Sequence, residues 1–322
     1  MIAFIPTSRP LPLLLSGLII GGFSLMGCQS APPPPQGAVD PQAEAADQTD
    51  RLAVTVTIPP QRYFVEKIGG DRLQVNVFVP GTSDPHTYEP KPQQLQALSA
   101  TEAYVLVGLG FEAAWLDRLK SANQAMVFID SSRGIEPLGM ASHDHGGHHH
   151  DVAKPKEDDH HHDHDDQTST ESTAVGEQPR TADPHVWLSP TLVKQQATAI
   201  ATGLSQLDPA NADYYQGNLE QFLGEIEQLD QQIRQNLATV TPRQFIVFHP
   251  SWGYFAQDYG LEQIPIEVEG QEPSARELGQ VIDLAEQHNL NVIFSEPQFS
   301  PQAAQAIAAA IQGKVETIDP LA

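Results

Sequence analysis

Hydrophobic residues in the first half of the chain alternate between short β-branched runs and stretches with helical spacing. The runs predict strands at residues 52–58, 73–79, 103–107 and 126–129. One helical pattern follows the first strand and ends near Gly69-Gly70, and another covers residues 111–120. Because strands that alternate with helices usually form a parallel sheet, this half is predicted to be a βα lobe.

The middle of the chain is strongly helical. Two stretches, residues 192–207 and 212–237, are separated by Asp208-Pro209. The second has apolar residues at the 3.6-residue spacing of a helix over about seven turns. These residues are Leu219, Phe222, Leu223, Ile226, Leu229, Ile233 and Leu237. We interpret residues 190–239 as a helical connector whose long helix joins two lobes rigidly.

The second half repeats the alternation of strands and helices. The predicted strands are residues 245–248, 292–294 and 315–318. Helices begin at Ser274 and Ser300; Ser274 and Glu277 form a capping-box pattern, and Gly313 is predicted to end the last helix. The predicted fold class is α/β: two Rossmann-like βα lobes with parallel sheets, residues 51–189 and 240–322, joined by the long connecting helix.

The N-terminal segment, residues 1–28, resembles a bacterial lipoprotein signal peptide. Arg9 precedes an apolar run over residues 11–25, which is shorter than the ~20 residues of a membrane span, and small residues lead to Cys28. Cys28 is therefore predicted to be the lipid-modified first residue of the mature protein. Residues 29–50, rich in Pro, Ala, Gln and Asp, are predicted to be a disordered tether to the outer face of the cytoplasmic membrane.

Composition narrows the possible chemistry. Lys+Arg 17 against Asp+Glu 41 gives a net charge of 17 − 41 = −24, which argues against nucleic-acid binding. Cys28 is the single cysteine of the sequence, so the folded part has no thiolate for a disulfide, a zinc site or a nucleophile. Any metal chemistry must use His, Asp and Glu.

Residues 142–183 form an insertion in the first lobe, with nine of the 13 histidines, 11 acidic and 3 basic residues. This composition predicts disorder in the absence of metal. Its histidines are candidate auxiliary, weak zinc ligands: His143, His145, His148, His149, His150, His160, His161, His162 and His164. The insertion is interpreted as a collector of zinc, as a sensor of excess zinc, or as a solvated charged run with incidental metal affinity.

Four histidines lie outside the insertion. His288 lies in a polar segment at a predicted helix C-terminus and is interpreted as structural. His86 and His249 follow predicted strands, as does Asp319. Because ligands of open α/β sheets gather at the carboxyl ends of strands, these side chains are predicted to converge on a cleft between the lobes.

The fourth histidine, His185, lies in the tripeptide Asp183-Pro184-His185, which repeats Asp84-Pro85-His86. Three neutral imidazoles and one carboxylate, from His86, His185, His249 and Asp319, suit four-coordinate zinc, whereas manganese prefers more oxygen ligands. Affinity is expected to fall as the pH drops through the histidine range near ~6.5.

In these motifs the chain resembles the cluster A-I substrate-binding lipoproteins of metal ABC transporters, and among them the zinc-uptake (ZnuA-type) proteins. The motifs are Pro80-Gly81-x-x-Asp84-Pro85-His86-x-Tyr88-Glu89-Pro90, Asp183-Pro184-His185-x-Trp187, His249-Pro250-Ser251-Trp252-Gly253-Tyr254-Phe255, Glu269-Gly270-x-Glu272-Pro273-Ser274 and Ile318-Asp319-Pro320-Leu321. The resemblance extends from Arg51 to Ala322.

The resemblance implies a site and partners. The family's first two histidine ligands correspond to His86 and His185, and the third position, glutamate in manganese-type members, is His249. The family's aspartate ligand corresponds to Asp319, which water or a loop residue replaces in some zinc members. The implied partners are a zinc ABC permease with its cytoplasmic ATPase, and the receptor is expected to be a monomer. Members usually continue into a final helix, whereas this sequence stops at Ala322, so weaker packing beneath Asp319 is expected.

The expected function is zinc capture for import, without catalysis. A receptor for manganese or for several divalent metals is the alternative within the same family. A zinc hydrolase is a second alternative, but the sequence has no His-Glu-x-x-His helix, and Glu89 is the nearest candidate base. Zinc storage or surface adhesion, with the insertion as the main site, is the third.

Overall fold

The computed structural model describes residues 51–140, 182–267 and 270–322. The predicted signal peptide with Cys28, the tether, the nine histidines of the insertion and Glu269 of the fourth motif lie outside the described residues. Gly139 and Ala182 pair in an antiparallel bridge, so the chain on the two sides of residues 141–181 comes together. No helix within the described ranges is long and apolar enough to cross a membrane.

The first lobe is built on a four-stranded parallel sheet, in the order β2-β1-β3-β4 among the residues described. Its strands are β1 (Leu52–Val56), β2 (Leu73–Val77), β3 (Ala103–Leu106) and β4 (Val127–Asp130). Its helices are α1 (Pro59–Gly69), α2 (Pro92–Ala97) and α3 (Gly110–Ala122). The strands and two of the helices match the predictions, but α2 was missed because its six residues are too few to show a helical period.

Two helices, α4 (Pro190–Leu207) and α5 (Ala212–Leu237), occupy the predicted connector. Both contribute buried side chains to the core of the first lobe, including Ile200, Leu204, Tyr215 and Phe222. Toward its C-terminus α5 also contacts the second lobe. The long helix is thus anchored in one core and reaches the other lobe.

The second lobe repeats the sheet order of the first, with β6-β5-β7-β8 all parallel in the described part of the chain. Its strands are β5 (Gln244–Val247), β6 (Glu262–Pro265), β7 (Val292–Ser295) and β8 (Lys314–Thr317). Its helices are α6 (Gly253–Tyr259), α7 (Ala275–Gln287) and α8 (Gln302–Ala310). The prediction of two parallel α/β lobes is confirmed. The short elements α6 and β6 were not predicted.

The structure confirms one helix end predicted from the sequence and corrects another. Ser274 donates its backbone N–H to Glu277 (2.7 Å) and its hydroxyl accepts the Glu277 N–H (3.4 Å), which confirms the capping box. The last helix, however, ends at Ala310, and Gln312 rather than Gly313 has positive φ (53°). Gly313 is needed for close approach instead, since a Cβ there would collide with the carbonyl of Asn291.

A buried carboxyl group, that of Glu112, organises the start of α3. It accepts the N–H groups of Gly108 (2.7 Å), Val107 (2.9 Å) and Leu109 (3.2 Å) and the hydroxyl of Thr57. Burial raises the pKa of Glu112 to about 7. The carboxyl oxygens of Glu112 therefore pair with backbone N–H groups that would otherwise lack an acceptor at the helix N-terminus.

Replacing Glu112 with alanine is expected to lower the free energy of unfolding by about 2 kcal/mol, because buried N–H groups lose their acceptor. Because the pKa of Glu112 is raised in the folded protein, its contribution to stability is largest below the unfolded pKa of about 4.5 and declines as the pH rises toward 7. The loss of stability in Glu112→Ala should therefore be larger at pH 5 than at pH 8. Urea unfolding measures it. Glu66→Ala, which removes an exposed pair with Arg62, is the control and should cost less than about 0.5 kcal/mol. Equal midpoints for the two variants would contradict this role.

Candidate metal centre

Three of the predicted ligands come from separate loops and meet in the structure. His86 lies in the loop after β2, His185 immediately precedes the 3-10 turn Val186–Leu188, and His249 lies two residues after β5. His185 and His249 are 2% and 5% exposed. One ligand atom from each histidine lies within 4.8 Å of the others. The structure therefore brings together side chains from both lobes. His86 and His249 were expected to converge because each follows a strand, and His185 joins them from the second Asp-Pro-His tripeptide.

The spacing of the three ring nitrogens suits a metal ion. The Nε2 atom of His185 lies 3.1 Å from Nε2 of His86 and 3.1 Å from Nε2 of His249. Two nitrogens bound tetrahedrally to zinc at about 2.0 to 2.1 Å are about 3.3 to 3.4 Å apart. The observed separation is close to that value, so an ion would fit between the rings after a small adjustment.

Two carboxylates fix the orientation of two of the three imidazoles, those of His185 and His249. Nδ1 of His185 lies 2.7 Å from Oδ1 of Asp183, and Nδ1 of His249 lies 2.9 Å from Oε2 of Glu267. A carboxylate accepts, so each Nδ1 carries the proton, and each Nε2 presents a lone pair. Two lone pairs facing each other at 3.1 Å repel unless a cation lies between them. The arrangement therefore suits a metal ion better than it suits a hydrogen-bonded pair of histidines.

The two Asp-Pro-His tripeptides have the same local structure. Asp84 Oδ1 accepts the backbone N–H of His86, and Asp183 Oδ1 accepts that of His185, both at 2.9 Å. These are Asx turns, in which a side chain replaces a backbone acceptor two residues on. Only Asp183 also contacts the ring nitrogen of its histidine; the other carboxylate oxygen of Asp84 accepts the hydroxyl of Thr87 (2.8 Å).

The second sheet supplies polar groups at the carboxyl ends of several strands. Glu267 and Glu296 follow β6 and β7 and are 6% and 2% exposed. Glu296 Oε2 accepts the backbone N–H of His249 (3.3 Å), and burial raises the pKa of Glu296 to about 7. Neither glutamate was among the predicted site residues. Glu267 was missed because the strand before it, β6, was not predicted. Glu296 could have been selected, because it directly follows β7, a strand that the sequence does predict.

Asp319, the fourth predicted ligand, is not part of the group of three histidines. Its Oδ1 accepts Nε2 of Gln298 (2.9 Å) and the N–H of Leu321 (2.9 Å). The same Gln298 Nε2 donates to the carbonyl of Gly81 in the first lobe (2.8 Å). Asp319 thus lies in a contact between the lobes. The remaining histidine, His288, is the C-cap residue of α7, as predicted.

Burial favours the neutral form of His86 and His185. Burial and the neighbouring imidazoles of His185 and His249 lower the pKa of His86 to about 3. Burial also lowers the pKa of His185, against the opposing effect of Asp183. A neutral imidazole can bind a metal ion without first losing a proton. The fall in metal affinity predicted below pH ~6.5 should therefore be smaller than three ordinary imidazoles would give.

We expect metal affinity to resist mild acid. Three ordinary imidazoles with pKa ~6.5 would each lose about tenfold between pH 7.5 and 5.5, about a thousandfold together. Because the pKa of His86 is far lower and that of His185 is lowered, the loss should stay below about a hundredfold. Competition with a chelator calibrated at each pH measures it, on a variant without residues 142–180 so that other histidines do not contribute. A thousandfold fall would show that these imidazoles titrate normally.

Comparison with known proteins identifies the family. The family model described as ZnuA, zinc-uptake complex component A periplasmic, matches residues 54–322. The high-affinity zinc uptake system protein ZnuA of Bacillus subtilis (strain 168) is 29% identical over 283 residues, 87% of this chain and 82% of that protein. The ZnuA protein of Paracoccus denitrificans (strain Pd 1222) is 33% identical over 264 residues, 81% of this chain and 79% of that protein.

Solved structures support the same family. A crystal structure of ZnuA is 53% identical, with a TM-score of 0.71 over 85% of this chain and 92% of that chain. A crystal structure of a ZnuA deletion mutant with zinc bound gives the same values. The match of the family model over residues 54–322, together with these relatives, shows that the chain belongs to the ZnuA family of periplasmic zinc-uptake components.

Proposed function

We propose that this chain is the zinc-binding receptor of an ABC-type zinc importer, which captures Zn²⁺ outside the cytoplasmic membrane and delivers it to a permease driven by a cytoplasmic ATPase. The observation that carries the proposal is the convergence of three Nε2 atoms, two of them aimed by buried carboxylates. The names of the relatives, which describe zinc uptake, support the choice of metal.

In the proposed complex, His86, His185 and His249 supply three nitrogen ligands. Nitrogen donors favour zinc over manganese, which prefers more oxygen. Asp319 is the proposed fourth ligand and water is the alternative. Oδ2 of Asp319 accepts no hydrogen bond from the described residues, so it could turn to the ion while Oδ1 keeps Gln298. A ligand set completed by Asp319 leaves no position for a hydrolytic water, and the proposal assigns the chain no catalytic step.

The anchoring and the insertion are further parts of the proposal. Cys28 would tether the receptor to the membrane as a lipoprotein monomer, and the histidines of residues 142–183 would collect zinc near the centre. The anchored helix α5 favours small adjustments of loops and lobes during binding over wide closure.

The experiment is a zinc and manganese titration by competition with a chelator, on the intact protein and on a variant lacking residues 142–180. The deletion stops before Asp183 because this residue orients His185. One tight zinc in both proteins, not displaced by manganese, is the result expected of a receptor. Equal manganese affinity would indicate a broader divalent-metal receptor. Loss of tight zinc binding in the deletion variant alone would indicate storage by the insertion.

A further inference from the structure

We propose that Tyr254, in the second lobe, is a positioning residue for the zinc ligand His185 in the first, and that it acts through Asp183. The inference rests on the proposed zinc-binding function and adds a residue with no contact to the imidazoles described above. The evidence is a hydrogen-bonded connection from α6 to the ring of His185.

The hydroxyl of Tyr254 lies between two segments of the first lobe. It donates to the backbone carbonyl of Asp183 (2.9 Å) and accepts the backbone N–H of Leu138 (2.9 Å). Asp183 and Leu138 are themselves joined, because the Asp183 N–H donates to the Leu138 carbonyl (2.7 Å). Tyr254 is 4% exposed and packs into the core of the first lobe, although its helix belongs to the second. The main chain of Asp183 is therefore held from the opposite lobe.

The neighbouring residue, Gly253, restricts the side chain of Asp183. A Cβ at Gly253 would lie 2.5 Å from Oδ2 of Asp183 and 3.3 Å from side-chain atoms of Gln263 and Leu138. Only glycine leaves room for the carboxylate at this point. Oδ2 is buried without a hydrogen-bond partner among the described residues, so its placement depends on this packing and on Oδ1.

The consequence for the metal centre follows from the shared atom Oδ1. Oδ1 of Asp183 accepts both the backbone N–H and the ring Nδ1 of His185 (2.9 and 2.7 Å). A shift of Asp183 must therefore turn the imidazole or break one of these bonds. Since Tyr254 and Gly253 hold Asp183 from the second lobe, Nε2 of His185 is aimed correctly only when the two lobes are docked through α6.

The test compares Tyr254→Phe with Tyr259→Phe in the intact protein. Tyr259 lies in the same helix, is 7% exposed, and donates its hydroxyl to Asp230 of the connecting helix α5 (2.8 Å), which is not one of the residues that contact the three histidines. Both variants lose one buried hydroxyl. We expect Tyr254→Phe to weaken zinc binding by about tenfold, the lower end of the loss seen when a hydrogen-bond partner of a metal ligand is removed. Tyr259→Phe should leave zinc affinity unchanged.

A spectroscopic measurement separates positioning from stability. Co²⁺ bound in place of zinc reports coordination geometry through its visible absorption, which should change in Tyr254→Phe and not in Tyr259→Phe, whatever their urea midpoints. Gly253→Ala should change it further, whereas Gly279→Ala, where a Cβ meets nothing within 4 Å, should not.

The outcomes are distinct. If the unmodified protein bound no zinc tightly, the proposed function would fail and this inference with it. If the unmodified protein bound zinc, but the two tyrosine variants had equal affinities and unchanged cobalt spectra, only the positioning role would be overturned.

Discussion

Replacing His185 with alanine should weaken zinc binding by two to three orders of magnitude. Tight zinc sites are worth about 10 to 16 kcal/mol for four ligands, or about 3 kcal/mol for each, and 1.4 kcal/mol is a factor of ten. His185 should show the full loss because its Nε2 lies 3.1 Å from both other ring nitrogens and its side chain is buried. Competition with a zinc chelator measures the change in affinity.

The control for this variant is His288→Ala. His288 caps the C-terminus of α7 and takes no part in the group of three histidines, so its removal should leave zinc affinity unchanged. Urea unfolding of the metal-free proteins should show that His185→Ala is still folded. If His185→Ala kept the affinity of the unmodified protein, the tight site would lie elsewhere, and the histidines of residues 142–183 would be the first candidates.

The sequence was sufficient to predict the two lobes and the loops that carry the histidines. Alternation of strands and helices predicted parallel sheets, and the repeated Asp-Pro-His tripeptide identified two loops that the structure shows to be the same Asx turn. Such features are local, since they depend on residues close together in the chain. The three histidines could be selected because few histidines remain once the insertion is set aside.

The residues that aim the histidines could not be predicted in the same way. Glu267 follows the four-residue strand β6, and Tyr254 lies in the seven-residue helix α6; both elements are too short to show a period. Their roles depend on contacts between segments distant in sequence, such as Tyr254 with Leu138, 116 residues away. Asp319 is the converse case: its position after a strand was predicted, but its hydrogen bond with Gln298 was not.

The ligands and their supports are divided between the lobes. His185 belongs to the first lobe but is oriented through Asp183, which α6 of the second lobe holds. The loop of His86 is likewise held across the lobes, where Gln298 donates to Gly81. The geometry of the centre therefore depends on the contact between the lobes as well as on the fold of each lobe.

Removing the carboxylates that hold the imidazoles should weaken zinc binding without removing a ligand. Asp183→Ala and Glu267→Ala should each cost about 10- to 100-fold in affinity, because His185 and His249 lose the partner that fixes the tautomer and the orientation of the ring. The double variant should lose about a thousandfold, since the carboxylates act on different histidines. Chelator competition and the Co²⁺ absorption spectrum measure the two effects.

Asp84→Ala is the matched control for Asp183→Ala. Both variants lose an Asx turn in an Asp-Pro-His tripeptide, but only Asp183 also accepts a hydrogen bond from the ring of its histidine. If the ring contact matters, Asp84→Ala should retain affinity within a few-fold while Asp183→Ala does not. Equal losses in the two variants would mean that the turn, rather than the carboxylate on Nδ1, determines affinity, and the orientation of His185 would then come from its backbone alone.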